Sequence, residues 1–165
     1  MWAYNNSSSL AHHGIKGQRW GVRRFQNADG SLTAAGKKRV NKQYAKEANA
    51  GDKKLRKQYN AMHLKAYNQA ADKMNSGGIQ KFNADQEKKY GKEYYKRDGY
   101  ETDYSKFFKK EFDSIMSKSI LDLYDSDKHY QAAARLIKQY DMTKWSDLAK
   151  NNQEGIDNLR RLAGQ

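Results

Sequence analysis

The chain has 165 residues, 37% of them apolar, with no cysteine, no proline and a formal net charge of +13. That length suits one domain with a modest core and is too short to expect two. The lack of cysteine excludes disulfides, thiolate zinc fingers and a cysteine nucleophile, and no run approaches the length of a membrane span.

The charge is uneven. Residues 1–57 carry 13 Lys/Arg against 3 Asp/Glu, a net of +10, whereas residues 58–165 carry 19 against 16, a net of +3. Such asymmetry points to an acidic partner for the N-terminal third, either nucleic acid or an acidic protein face. A basic surface that only solubilises is the plain alternative. A mean hydropathy of −1.18, with 12 Tyr, 5 Phe and 3 Trp supplying much of the apolar content, predicts a thin, amphipathic core. Tyrosine suits half-buried positions, ring packed and hydroxyl wet.

In chain order, MWAYNNSSSLAHH lacks the basic and apolar regions of a signal peptide, so a soluble intracellular protein, with no membrane partner, is expected. Residues 1–32 read as an irregular arm punctuated by Gly14, Gly17, Gly21 and Gly30, with a turn at Asn27-Ala28-Asp29-Gly30. A short hairpin around Trp20–Leu32 is an option within it. Residues 33–165 read as a helical domain, and the fold class is all-α, a bundle of about five to six helices.

Ser31 or Thr33 caps a first helix running to about Asn49, stopped by Gly51. Asp52 caps a second, to about Asn75, with Leu55, Tyr59, Met62, Ala66, Ala70 and Met74 on one stripe and Ser76-Gly77-Gly78 ending it. A third spans about Asn83 to Arg97. Thr102 caps a fourth, to about Tyr124, whose Tyr104, Phe107, Phe108, Phe112, Ile115, Leu121 and Leu123 form the expected centre of the core. A fifth covers about Asp127 to Tyr140. Thr143 caps a last helix with Trp145, Leu148, Ala149, Ile156, Leu159 and Leu162 at helical spacing, weakened in its middle by Gly155.

Among chemistry-bearing residues, His12 and His13 stand together in a Gly-flanked loop. Neutral imidazole is the commonest zinc ligand, and a cysteine-free site needs His with Asp or Glu. One of the pair would hold a structural Zn2+ with partners from distant helices; packing against Trp20 is the plain reading. Asp125, Asp127 and His129, in the stretch DSDKH, are the alternative metal set. Against it stands an ordinary Asp N-cap beside a surface histidine, which is favoured. His63 sits beside the apolar stripe of the second helix. The run GIKGQRWGVRR offers Lys16, Arg19, Trp20, Arg23 and Arg24 among glycines, a pattern that can hold phosphate or stack on a base. Lys37, Lys38 and Arg39 extend this candidate partner-binding surface. The run fits neither the P-loop nor the dinucleotide fingerprint, and a loop folded back with Trp20 inside is the competing reading. No carboxylate pair lies in an apolar setting that would raise a pKa, so the expectation is a binding protein, not an enzyme.

The segment HHGIKGQRWGVRRFQNADGSLTAAGKKR resembles a motif of phage and prophage proteins of Firmicutes, in which His-His-Gly-x-Lys-Gly-x-x-Trp-Gly-Val-Arg-Arg precedes Asp-Gly-Ser-Leu-Thr and a basic helix start. The family pattern often has Pro after the Thr, where this chain has Ala34, so helix initiation loses its pre-set φ. The match covers about 30 residues of the chain. The resemblance implies a phage-encoded protein acting in the host bacterial cytoplasm. The role expected from it is an anti-CRISPR inhibitor that blocks nucleic-acid loading by a host CRISPR effector nuclease, with a basic DNA-binding virion or head-morphogenesis accessory as the alternative.

Overall fold

The computed structural model describes residues 24–27 and 29–164. Five α-helices dominate: α1 (Ala34–Lys73), α2 (Ile79–Tyr90), α3 (Tyr100–Ser126), α4 (Lys128–Tyr140) and α5 (Asp147–Ala163). The fold is all-α. Among the described residues no strand occurs; of the expected hairpin, residues 20–23 and 28 lie outside the described residues, and one isolated bridge joins Gln26 and Leu32. Among the described residues, packing divides the chain into two compact units, one ending at Asn41 and the other beginning at Lys42.

In the first unit, the backbone turns at Asn27 and Gly30, whose N–H donates to the Asn27 carbonyl at 3.1 Å. Asp29 braces the turn by accepting from the Ser31 N–H at 2.9 Å and its hydroxyl at 2.7 Å. Of the two residues expected to cap the first helix, Thr33 does so. Its Oγ1 accepts from the Gly36 N–H at 3.1 Å and donates to the Arg24 carbonyl at 2.7 Å, which satisfies an orphan donor of the first turn.

In the second unit, the predicted stop at Gly51 and cap at Asp52 are replaced by uninterrupted helix. One glycine costs only about 1 kcal/mol relative to alanine in a helix interior, too little to end a helix held by packing on both sides. Gly51 instead makes room for a ring. A Cβ built there would lie 2.7 Å from two Tyr130 ring carbons. The Tyr130 hydroxyl donates to Asp52 Oδ1 at 2.8 Å, so Asp52 anchors a phenol from α4 rather than capping a helix. Tyr124 stacks on the same ring, centroids 4.2 Å apart and planes 20° from parallel.

The stop at Ser76-Gly77-Gly78 becomes a kink. Met74–Gly78 forms a π turn in which Ser76 and Gly77 leave helical geometry, Gly77 with φ 137°, a value that side chains other than hydrogen resist. The chain then continues directly into α2. α2 ends at Tyr90, earlier than expected, because Gly91 adopts φ 87°. α3 starts at Tyr100 behind a left-handed Gly99, with Thr102 inside its first turn rather than capping it. Ser146, not Thr143, caps α5, accepting from the Ala149 N–H at 3.4 Å. Trp145 lies just before that helix and donates its indole N–H to the Tyr140 carbonyl at 3.0 Å.

α3 runs antiparallel to α1, with Tyr67 against Phe108 at 5.5 Å, His63 edge-on to Phe112 at 4.9 Å, and Lys73 paired with Glu111. Phe82 of α2 is buried among Tyr100, Tyr104 and Phe107, at 5.5 to 5.6 Å. The core is shifted from its expected centre. Phe107, Phe108 and Phe112 are only half-buried, while Met116, Leu121 and Leu123 are buried. Leu121 meets Ile156 and Ala163 of α5, with Tyr124 and Leu159 at the margin. The expected stripe is buried at Ala66 and Ala70 of α1 and at Met74 of the π turn, whereas Tyr59 is 45% exposed.

Two glycines give opposite expectations for one substitution. Gly155→Ala meets nothing within 4 Å and should raise stability by about 1 kcal/mol through helix propensity. Gly51→Ala should lower it by about 1–3 kcal/mol, because the added methyl displaces the Tyr130 ring. Urea midpoints of the two variants check this; equal gains would contradict the ring-on-glycine packing.

Candidate nucleic-acid interface

Residues 42–57 read KQYAKEANAGDKKLRK, with six cations and two acids. Helical periodicity sorts them by face. Both acids turn inward: Glu47 Oε2 lies 2.7 Å from His129 Nδ1, and Asp52 accepts the Tyr130 proton. Tyr44 is fully buried, and its hydroxyl accepts from the Asn152 side-chain amide at 2.8 Å. Burial pushes its phenol above the ordinary 10.0. It also pushes Tyr124 up to about 12, and raises Tyr130 with help from Asp52. These phenols therefore stay neutral at physiological pH, and the Tyr130 hydroxyl remains a hydrogen-bond donor to Asp52.

One cation is committed inward as well. Lys54 Nζ is 2.9 Å from Asp127 Oδ2, while Oδ1 of the same carboxylate caps α4 by accepting from the backbone N–H groups of His129 at 2.9 Å and Tyr130 at 3.3 Å. The other five, Lys42, Lys46, Lys53, Arg56 and Lys57, are exposed and form no ion pair among the described residues. They follow one another at helical spacing on one face, over about 22 Å at 1.5 Å per residue. Asn49 and Asn60 are exposed on the same face. Asn49, Lys53, Arg56 and Lys57 line an open hollow of about 470 Å³. With no acid among these residues, it is suited to a polyanion.

The sequence-predicted site residues fall differently. His12, His13, Lys16, Arg19, Trp20 and Arg23 lie outside the described residues. Arg24 and Arg39 are brought together over the Phe25 ring, their guanidinium carbons 5.4 and 4.9 Å from its centroid, a cation–π arrangement. Lys37 and Lys38 are exposed in the first turns of α1. Asp125, Asp127 and His129 are not gathered as a ligand set. Asp127 is engaged by the α4 cap and Lys54, His129 by Glu47, and Asp125 is exposed. Among the described residues no group of three or more His, Asp or Glu is placed to hold a metal ion. The favoured reading of DSDKH as an Asp N-cap is the one realised.

The five cations of α1 escaped sequence reasoning because a stop at Gly51 splits them between two helices. Their steps of four, seven and then three or four residues (Lys42, Lys46, Lys53, then Arg56 and Lys57), read through the glycine, are the signal that would have found them. No protein-family model, curated protein or solved structure matches the chain. Among the described residues no helix is long and apolar enough to cross a membrane.

The Lys54 ammonium, followed by the two N–H groups of α4, holds the Asp127 carboxyl below the ordinary 3.8. The folded state thus favours the anion, so the stability it contributes is complete above about pH 4 and disappears as pH falls through the lower folded-state value. Asp127→Ala should cost about 1–2 kcal/mol at neutral pH through the lost cap. It should also flatten the decline of stability below about pH 4. Urea titrations at several pH values check both; an unchanged acid limb would contradict the assignment.

Proposed function

We propose that the protein is a non-enzymatic nucleic-acid-binding protein that holds the phosphate backbone on the cationic face of α1. The observation carrying this reading is the segregation of charge between positions 42 and 57 of that helix: both acids there are engaged inward by α4, and five cations outside form no ion pair among the described residues. Lys/Arg contacts to phosphate release condensed counterions, which makes such a surface bind polyanions with little dependence on sequence. The resemblance of the N-terminal segment to phage and prophage proteins supports a phage-encoded accessory acting in the host bacterial cytoplasm.

The reading predicts binding to duplex DNA with a steep salt dependence. With five phosphates engaged, log K should fall with log salt at a slope of roughly −4.5. Replacing Lys42, Lys46, Lys53 and Lys57 together by Gln should bring the slope close to −1. Fluorescence anisotropy with a labelled duplex across a salt series measures it, with circular dichroism confirming retained helix. An anti-CRISPR inhibitor, the other role that the resemblance implies, would instead bind a CRISPR effector complex with modest salt dependence and have little affinity for free DNA. That pattern would overturn the backbone-binding reading.

A structural zinc ion on His12 or His13 belongs to the same proposal, as a staple for the glycine-rich segment. Tag-free protein should carry near-stoichiometric zinc that His12→Ala or His13→Ala removes. Metal-free protein would refute it.

A further inference from the structure

We infer that α1 enters the major groove of duplex DNA by its exposed face, placing Asn49 at a base edge; this rests on the nucleic-acid reading above and specifies its ligand. The order of residues across the face carries the inference. Helical geometry sets Lys42, Asn49, Lys53 and Asn60 along the middle of the face, with Arg56 to one side and Lys46 and Lys57 to the other. A helix seated in a groove meets base edges along its centre line and the two phosphate walls at its flanks. Asn49 therefore stands where bases are read, and the flanking cations stand where the two backbones run.

Size selects among nucleic acids. An α-helix with its side chains is about 10–12 Å across, matching a major groove of about 12 Å in B-form DNA. The deep, narrow major groove of A-form RNA excludes it. A single strand is normally held by aromatic rings on which bases stack, and between positions 42 and 57 this face has none. The one aromatic residue between 42 and 57, Tyr44, is fully buried and turned toward Asn152. The body of the helix is also free to enter, since from Lys53 to Lys65 only Leu55 and Met62 are half-buried and the remainder are exposed. The side-chain amide of asparagine matches adenine, donating to N7 and accepting from the N6 amino group, so the expected preference is for adenine at one position.

Selection from a random duplex library, followed by binding of the selected site and its single-base variants, tests this. Wild type should enrich a site with an adenine whose replacement weakens binding by about 5- to 150-fold. Asn49→Ala should abolish that discrimination while keeping the salt slope. Asn49 is exposed and alanine favours helix, so the variant should fold. Substituting 7-deazaadenine at the same position should reproduce the loss in wild type and add nothing in Asn49→Ala. If duplexes of all sequences bind alike with the steep salt slope intact, the base-reading assignment is wrong and the backbone reading survives. Equal affinity for single-stranded DNA or duplex RNA would overturn the groove assignment. No salt-dependent binding to any nucleic acid would overturn both.

Discussion

At Gly51, the α1 backbone lets the Tyr130 ring of α4 lie against it, with the Tyr130 hydroxyl held by Asp52 one residue further on. This contact sets the rotation of α1 about its own axis. A one-residue slip would turn the helix by about 100° and carry Glu47 away from His129 and Lys54 away from Asp127. The three polar links and the stacked Tyr124 therefore form one registration device. Its outward consequence is a face on which no acid is left beside the cations. The inward part is structural and the outward part is the candidate interface.

The rest of the architecture is consistent with so much dependence on polar registration. Apolar burial is dispersed: alanines along α1, a small cluster between α3 and α5, and half-buried aromatic rings along the α1–α3 seam. Rings packed edge-on add about 0.5–1.5 kcal/mol beyond their buried area and prefer particular angles. A chain with few large aliphatic residues thus gains specificity from tyrosine and phenylalanine geometry. Buried phenols and carboxylates are costly unless each finds a partner. Tyr44, Tyr130 and Asp127 each have one.

Much of this was legible in the residues. Composition without proline and rich in Lys, Ala, Gln and Leu indicated helices, the spacing of Ala66, Ala70 and Met74 identified the buried stripe that runs from α1 into the π turn, and Asp127 was readable as a cap from its place before Lys128 and His129. What was not legible depended on distant partners. Gly51 looks like a terminator when only its neighbours are considered, and its role appears once a ring from 79 positions away is laid against it. Thr102 and Thr143 had the right chemistry for caps, but left-handed Gly99 set one start and Ser146 the other. The aromatic run of α3 seemed the core centre, yet its rings share the seam with Tyr67 and His63 on exposed stretches of α1. The interface was hidden by the same glycine, since a helix cut in two has no continuous face.

The central claim is that nucleic acid is held by one face of one helix. Lysine acetylation footprinting, with and without duplex DNA, tests it most directly. The account predicts protection of Lys42, Lys46, Lys53 and Lys57, with exposed Lys118, Lys138 and Lys150 modified at unchanged rates. Uniform protection of all lysines, or protection confined to residues off α1, would contradict it.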